Sequence, residues 1–272
     1  MTATTVSSAA LRPRRRSALV WAIADTKAIA WRNLVTLRRL PQLLIFSTIQ
    51  PVIFVLMFRY VFGGSIHIPG VDYVNYLMPG IFAQTVTFGA IQTGIGLAED
   101  LHKGLIERFR SLPMARSAVL AGRTLADLVR NVFVVALMLV VGYMVGFRVE
   151  TGVLGLLAGV AVILLFGFSL TWIFAIIGLS APNAETAQAM SFPILAPLVF
   201  VSSAFVAIDT MPGWMQPFAR YQPVSVAVDA VRSLMLGGLF HDPSKVLGSL
   251  AWSVGIVAVF APLAVRVYRR TA

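Results

Sequence analysis

Few residues in this 272-residue chain could carry out chemistry. A phosphate-binding loop needs a Gly-Lys pair followed by Ser or Thr, whereas the three lysines follow Thr26, His102 and Ser244. There is no cysteine, and the histidines His67, His102 and His241 are separated by long apolar stretches. The sequence therefore predicts no nucleotide-binding loop, no Cys-ligated metal site and no histidine-based catalytic centre in this chain.

The carboxylates give a second exclusion. Ion-driven carriers generally hold an ionisable group within the membrane, where a charge costs about 3 kcal/mol or more. Here the 11 Asp and Glu residues lie at or near the ends of apolar stretches. Asp127 lies about one turn inside such a stretch and is expected to pair with Arg130, three residues later. This pattern argues against an ion-coupled carrier.

Neutral polar and aromatic side chains remain within the apolar stretches. The candidates for a translocation path are Gln50, Phe54, Gln84, Thr85, Phe88, Gln92, Ser191, Phe192 and Ser202. A lining of this kind suits a large, mostly apolar compound that carries a few hydrogen-bonding groups. The alternative is that each polar side chain only holds neighbouring helices together.

The elements that must position these residues are membrane helices. Hydrophobic residues make up 58% of the chain and charged residues 12%, and a spanning helix needs about 20 apolar residues. Six stretches reach this length, at about 43–62, 74–98, 122–147, 153–179, 187–208 and 247–266. Two charges and a glycine at 147–152 mark the turn between the third and fourth stretches. The predicted fold is an all-α polytopic membrane protein with six transmembrane helices.

The positions of Lys and Arg predict the topology. Most of them flank the spans on the side of the N-terminus, so both termini of this multi-pass cell-membrane protein are expected in the cytoplasm. The net charge of +11 is spread over these short segments, which argues against nucleic acid as a partner. Residues 1–17 are expected to form a disordered basic cytoplasmic tail, and residues 18–272 one transmembrane domain. Within it, residues 18–40 are predicted to lie as a helix in the inner interface; the alternative is a soluble helix that packs on another subunit.

The segment between the fifth and sixth spans, residues 209–246, is too apolar for a free loop. We expect short re-entrant helices there, which lipid tolerates only where they rest on protein. Ser225 is a candidate cap for a helix that ends at Gly237. Asp229 and Arg232 are three residues apart and are expected to pair on the surface of that helix.

The main charged segment between the second and third spans covers residues 99–118. Its apolar stripe consists of Leu101, Leu105, Phe109 and Leu112, while Lys103, Glu107 and Arg110 face elsewhere. Gly104 weakens this helix and Pro113 ends it. A short amphipathic helix of this kind can dock in a groove of a soluble partner. Composition supports equally an interfacial loop that carries topology charges.

Three motifs resemble those of permeases in the ABC-2 type export family. The first is the segment from Gly104 to Arg116, which follows the pattern G-x-x-E-R-x-R-x-L-P-x-x-R. The second is Tyr-Leu-Met-Pro-Gly at 76–80, and the third is Pro-Gly-Trp-Met-Gln-Pro-Phe at 212–218 with Gln-Pro-Val at 222–224. The order fits from about residue 25 to the end, and the pattern is most similar to the daunorubicin-resistance group of drug and lipid exporters.

The resemblance implies an assembly. Such permeases have six spans, work as dimers, here expected to be of identical chains, and bind two copies of a separate ATPase subunit that holds ATP and Mg. Motion of the ATPase pair would pass through a coupling helix to spans one, two and five around a central path. The residues that the resemblance assigns to this coupling are Leu101, Lys103, Leu105, Glu107, Arg108, Phe109, Arg110, Leu112 and Pro113.

The sequence thus predicts the membrane subunit, without cofactor or enzymatic activity of its own, of an ATP-driven exporter. Its expected substrate is a hydrophobic compound such as an anthracycline-like antibiotic. The rival within transport is export of a lipid or a lipid-linked glycan. The rivals from other classes are a membrane-embedded enzyme and an ion-coupled carrier or channel.

Overall fold

The computed structural model describes residues 18–39, 41–64, 68, 70–105 and 116–271. All regular elements in these ranges are helical. The α-helices are α1 (Ala18–Arg39), α2 (Pro41–Leu56), α3 (Tyr73–His102), α4 (Arg116–Met144), α5 (Gly152–Ser180), α6 (Ala184–Phe200), α7 (Gln216–Tyr221), α8 (Pro223–Met235) and α9 (Pro243–Thr271). A π-helical stretch, Met57–Phe62, continues α2, and 3-10 turns lie at Ile208–Thr210 and Gly238–Phe240.

Four of the described helices are long and apolar enough to cross a membrane, judged by length and composition. They are α3, α4, α5 and α9, and they correspond to the second, third, fourth and sixth predicted spans. The first predicted span coincides with α2 and its π-helical continuation, of which Thr48–Phe62 forms a shorter apolar helix. The all-helical membrane class is therefore confirmed.

The fifth predicted span, 187–208, differs from the helix that forms there. Helix α6 has 17 residues and ends at Phe200, eight residues early. Pro193 and Pro197 lie inside it and remove backbone donors. Its last carbonyl groups are capped by a side chain from a distant part of the chain: the Gln222 amide donates to the carbonyl oxygens of Leu198 (2.9 Å) and Val201 (3.1 Å).

Helix α3 forms the centre of the bundle. Of its 30 residues, 22 are buried, because α5, α4 and α6 cover different sides of it. The approach to α5 is close enough to exclude side chains at the crossing. A Cβ atom at Gly178 would collide with the carbonyl oxygen of Gly94, and one at Gly94 with the carbonyl oxygen of Phe174. Small residues at such a crossing let two membrane helices pack backbone to backbone.

The turn predicted at 147–152 is confirmed. Helix α4 ends at Met144 and α5 begins at Gly152, whose φ of +78° suits glycine. The Asn75 side chain accepts a hydrogen bond from the backbone N–H of Arg148 at 2.9 Å. The turn is thereby tied to the first turn of α3.

Two short helices, α7 and α8, form in the segment where re-entrant helices were predicted. The predicted cap is wrong: α8 begins at Pro223, and the Gln222 side chain accepts from the N–H of Val224 at 3.2 Å. Proline favours the first helical position because its ring fixes φ and its missing N–H would have no partner there. The Ser225 hydroxyl instead accepts from the N–H of Ser203 at 3.0 Å.

Helix α1 packs along α4. Ile29 and Ala30 are buried, and a Cβ atom at Gly122 of α4 would lie 2.7 Å from the Cβ of Ile29. Trp31 is 70% exposed on the opposite face. The predicted helix over 18–40 is therefore present to within one residue, and one of its faces is fixed by α4 of the same chain.

Candidate functional site

A cavity of about 710 Å³ lies between α1, α2, α3 and α4. We call it the α3–α4 cavity. Five of the nine residues proposed from the sequence for a path line it: Gln50, Gln84, Thr85, Phe88 and Gln92. Its volume lies within the range of about 300–1,000 Å³ that is typical of sites for small organic ligands.

The spacing of residues along α3 brings several of these side chains to the cavity. On α3, Thr85, Phe88 and Gln92 recur at intervals of three and four residues and therefore share one face. The lining continues from Gln84 on α3 to Lys103, the residue that follows its last turn, over a length of about 28 Å. The cavity is thus a long groove that runs from the middle of α3 to its C-terminal end.

The other four path candidates lie outside this cavity: Phe54, Ser191, Phe192 and Ser202. The hydroxyl groups of Ser191 and Ser202 donate to carbonyl oxygens near them in the chain, those of Ala187 (2.7 Å) and Val199 (2.6 Å). Such local bonds satisfy both hydroxyl groups within protein. Phe192 is 54% exposed, and the rings of Phe54 and Phe205 lie 6.2 Å apart.

At the C-terminal end of α3, Asp100 joins three helices. Its carboxylate accepts a hydrogen bond from Arg123 of α4 at 2.6 Å, and Arg32 of α1 lies 3.9 Å away. Arg123 reaches Asp100 across Gly96, where any side chain would overlap the guanidinium group. The ion pairs thus close the wall of the cavity between α1, α3 and α4.

A second charged group lies deeper in the cavity. The expected pair of Asp127 and Arg130 forms, with a separation of 3.5 Å. The Thr93 hydroxyl donates to Asp127 at 2.6 Å, and Arg130 donates to the carbonyl oxygen of Gly89 at 2.7 Å. Both side chains are close to 10% exposed. Charges in such a place persist when they are paired and hydrogen-bonded, as these are.

Two neutral amide side chains of the cavity are less completely hydrogen-bonded than these charged side chains. Gln84 and Asn131 both line the cavity and are each 2% exposed. The Oε1 atom of Gln84 and the Nδ2 atom of Asn131 have no hydrogen-bond partner within the described structure. Asn131 was missed from the sequence, although an amide in an apolar helix, four residues after Asp127, is itself a signal of a polar face.

Only the first part of the predicted coupling segment is described. Residues 99–102 continue α3, so no separate helix begins at 99. Lys103 pairs with Glu99 at 2.6 Å, which raises the pKa of Lys103, and Gly104 turns the chain with a φ of +68°. Leu101 and Leu105 are half-buried. The remaining coupling candidates lie outside the described residues: Glu107, Arg108, Phe109, Arg110, Leu112 and Pro113.

Arg232 of α8 marks a second polar site, near the N-terminal end of α3. It pairs with Asp229 at 3.0 Å as expected, but its side chain is 2% exposed, so the predicted surface location is wrong. Its guanidinium also donates to the carbonyl oxygens of Tyr76 (3.0 Å) and Ser203 (2.6 Å). Backbone carbonyls in the irregular chain after α6 need donors, and a guanidinium supplies five.

Comparison with known proteins assigns the chain to a family. Residues 24–236 match the family model described as "ABC-2 type transporter". The chain is 41% identical to the daunorubicin resistance ABC transporter permease protein DrrB1 of Streptomyces coeruleorubidus, over 97% of this chain and 92% of that protein. It is 29% identical to the probable doxorubicin resistance ABC transporter permease protein DrrC of Mycobacterium tuberculosis, over 82% and 80%. The chain therefore belongs to the ABC-2 type transporter family and is one of its membrane permeases.

Proposed function

We propose that this permease exports hydrophobic drugs of the anthracycline type outward across the cytoplasmic membrane. The observation that carries the proposal is the 41% identity, over 97% of the chain, to a permease named for daunorubicin resistance. The α3–α4 cavity supports it, because its 710 Å³ would hold a drug-sized molecule between aromatic, aliphatic and amide side chains.

The proposed assembly contains two copies of this chain and two copies of an ATPase subunit that binds ATP and Mg. Six spans result if α2 with its π-helical continuation and α6 with the residues after it also cross the bilayer. Helix α2 offers a surface for lipid or for the second copy, since Ile49, Ile53 and Leu56 are each more than 40% exposed. The charge bias of the sequence supports a cytoplasmic location for both termini.

The proposed coupling segment, residues 99–113, would receive the motion of the ATPase subunits. Because residues 99–102 are part of α3, displacement of this segment would act directly on the central helix of the bundle. The pairs of Asp100 with Arg123 and Arg32 would carry the same displacement to α4 and α1. One movement would then change three walls of the α3–α4 cavity together.

The test is expression of the permease with its ATPase subunit in a drug-sensitive bacterial host. We expect lower daunorubicin accumulation and higher resistance than with the permease and a hydrolysis-deficient ATPase. Unchanged drug sensitivity, together with a changed set of surface lipids in a strain that lacks the permease, would favour lipid or glycan export and contradict the proposal.

A further inference from the structure

The deep end of the α3–α4 cavity holds an unsatisfied donor and an unsatisfied acceptor. Gln84 lies near the middle of α3 and Asn131 on α4, and each is 2% exposed. The Gln84 Oε1 atom can accept a hydrogen bond and the Asn131 Nδ2 atom can donate one. Neither atom has a partner among the described residues. A buried polar group without a partner weakens the fold, so one that persists in a cavity calls for a functional reason.

The charged residues of the cavity offer no comparable free site. Its described lining contains seven charged side chains, and each belongs to an ion pair: Arg32 and Arg123 with Asp100, Lys103 with Glu99, and Arg130 with Asp127. A charged ligand would have to compete with these pairs. The two hydrogen-bonding atoms that remain without a partner among the described lining residues are neutral: the acceptor Oε1 of Gln84 and the donor Nδ2 of Asn131.

Apolar walls flank the two amides. Phe88 follows Gln84 by one turn on α3, and Val134 follows Asn131 by three residues on α4; both line the cavity. An aromatic face of this kind packs well against a flat ring. The deep end therefore combines a surface for a planar apolar body with two fixed hydrogen-bonding atoms.

We infer that Gln84 and Asn131 form the recognition site for an uncharged donor–acceptor group on the exported compound. A hydroxyl beside a carbonyl, or an amide, is such a group: its donor would meet Gln84 Oε1 and its acceptor would meet Asn131 Nδ2. The substrate class is thus an amphiphile with a planar apolar body and a neutral hydrogen-bonding edge. This inference rests on the proposed export function.

The experiment measures daunorubicin binding to the purified permease–ATPase complex in lipid nanodiscs without nucleotide, by the change in drug fluorescence. Gln84→Leu and Asn131→Leu should each weaken binding by about fivefold, as expected for one lost hydrogen bond. The matched control is Gln188→Leu, which removes an exposed amide on α6, outside the α3–α4 cavity, and should change the dissociation constant less than twofold.

Thermal unfolding of the drug-free complex separates binding from folding. Because Gln84 Oε1 and Asn131 Nδ2 have no hydrogen-bond partner among the described residues, both leucine variants should melt at the wild-type temperature or above it. A lower melting temperature for both would show that the amides are bonded within the protein and would overturn the inference. Binding equal to wild type in both variants, or an equal loss in Gln188→Leu, would also overturn it.

The outcome for the wild-type complex separates this inference from the proposed function. If the wild type binds daunorubicin and the two leucine variants bind it equally well, only the recognition site is wrong. If the wild type shows no binding, drug export itself is contradicted and the inference falls with it.

Discussion

The guanidinium carbon of Arg232 lies 3.5 Å from the centre of the Tyr76 ring, and the same side chain donates to the Tyr76 carbonyl oxygen. A buried cation in this position ties α8 to the first turn of α3 and to the chain that follows α6. The contact combines a cation–π interaction with charge-assisted hydrogen bonds.

Removal of this cation should destabilise the fold. Arg232→Ala leaves Asp229 without its main partner and removes the guanidinium hydrogen bonds to the buried carbonyl oxygens of Tyr76 and Ser203, so we expect a loss of about 3 kcal/mol or more. The measurement is the thermal melting of the purified protein. The control is Arg220→Ala, whose pair with Asp209 is exposed and should contribute about 0.5 kcal/mol or less. Equal melting of both variants would contradict the structural role of Arg232.

The crossing of α3 and α5 should not tolerate a side chain. In Gly178→Ala the new methyl group would meet the carbonyl oxygen of Gly94, which cannot move without displacing the helix backbone. We expect a clear fall in melting temperature and in the yield of folded protein. Gly255→Ala on α9 is the control, because no described atom other than the adjoining backbone of α9 lies within 4 Å of a Cβ there. A normal yield for Gly178→Ala would show that the helices are further apart.

The packing of α1 on α4 can be tested by cross-linking, which is unambiguous because the chain has no cysteine. In Ile29→Cys with Gly122→Cys the two Cβ atoms lie close enough for a disulfide after a shift of about 1 Å. Oxidation should cross-link this variant within one chain. Trp31→Cys with Gly122→Cys should remain uncross-linked, since Trp31 points away. Cross-linking of the Trp31 variant but not of the Ile29 variant would show that α1 does not pack on α4 through Ile29. That outcome would favour a helix that packs on another subunit.

The coupling segment gives a functional prediction. Glu107→Ala and Arg110→Ala should abolish drug export and drug-stimulated ATP hydrolysis while the permease still inserts in the membrane. The measurements are ATPase activity of the complex and the amount of permease in membranes. Arg269→Ala, which removes an exposed charge at the end of α9, is the control and should behave as wild type. Normal export by both coupling variants would remove the role proposed for residues 99–113.

The long helices could be predicted from the sequence because lipid demands about 20 apolar residues in a row. The predicted bounds of α3 and α5 are within four residues of those found. The end of α6 could not be predicted, because it depends on Gln222, which lies more than 20 residues away and caps its last carbonyls. Apolar length reports where a helix can continue, whereas a cap from a distant segment decides where it stops.

The candidate site, like the fold, could be predicted from the sequence only in part. Spacing along α3 was enough to bring Gln84, Phe88 and Gln92 to one face. Spacing could not show that Ser191 and Ser202 satisfy their hydroxyl groups locally, or that the Asp229–Arg232 pair is buried. A pair three residues apart has the same sequence pattern on a surface and in a core. Burial is a property of the neighbours, and these come from other parts of the chain.

The central claim is that this permease moves its substrate only with work supplied by a separate ATPase. The most direct measurement is daunorubicin uptake into inside-out vesicles that contain purified permease, with and without the ATPase subunit, and with or without an imposed proton gradient. We predict uptake against a concentration gradient only when the ATPase subunit and ATP are both present. Uphill uptake by the permease alone, driven by the proton gradient, would contradict the claim.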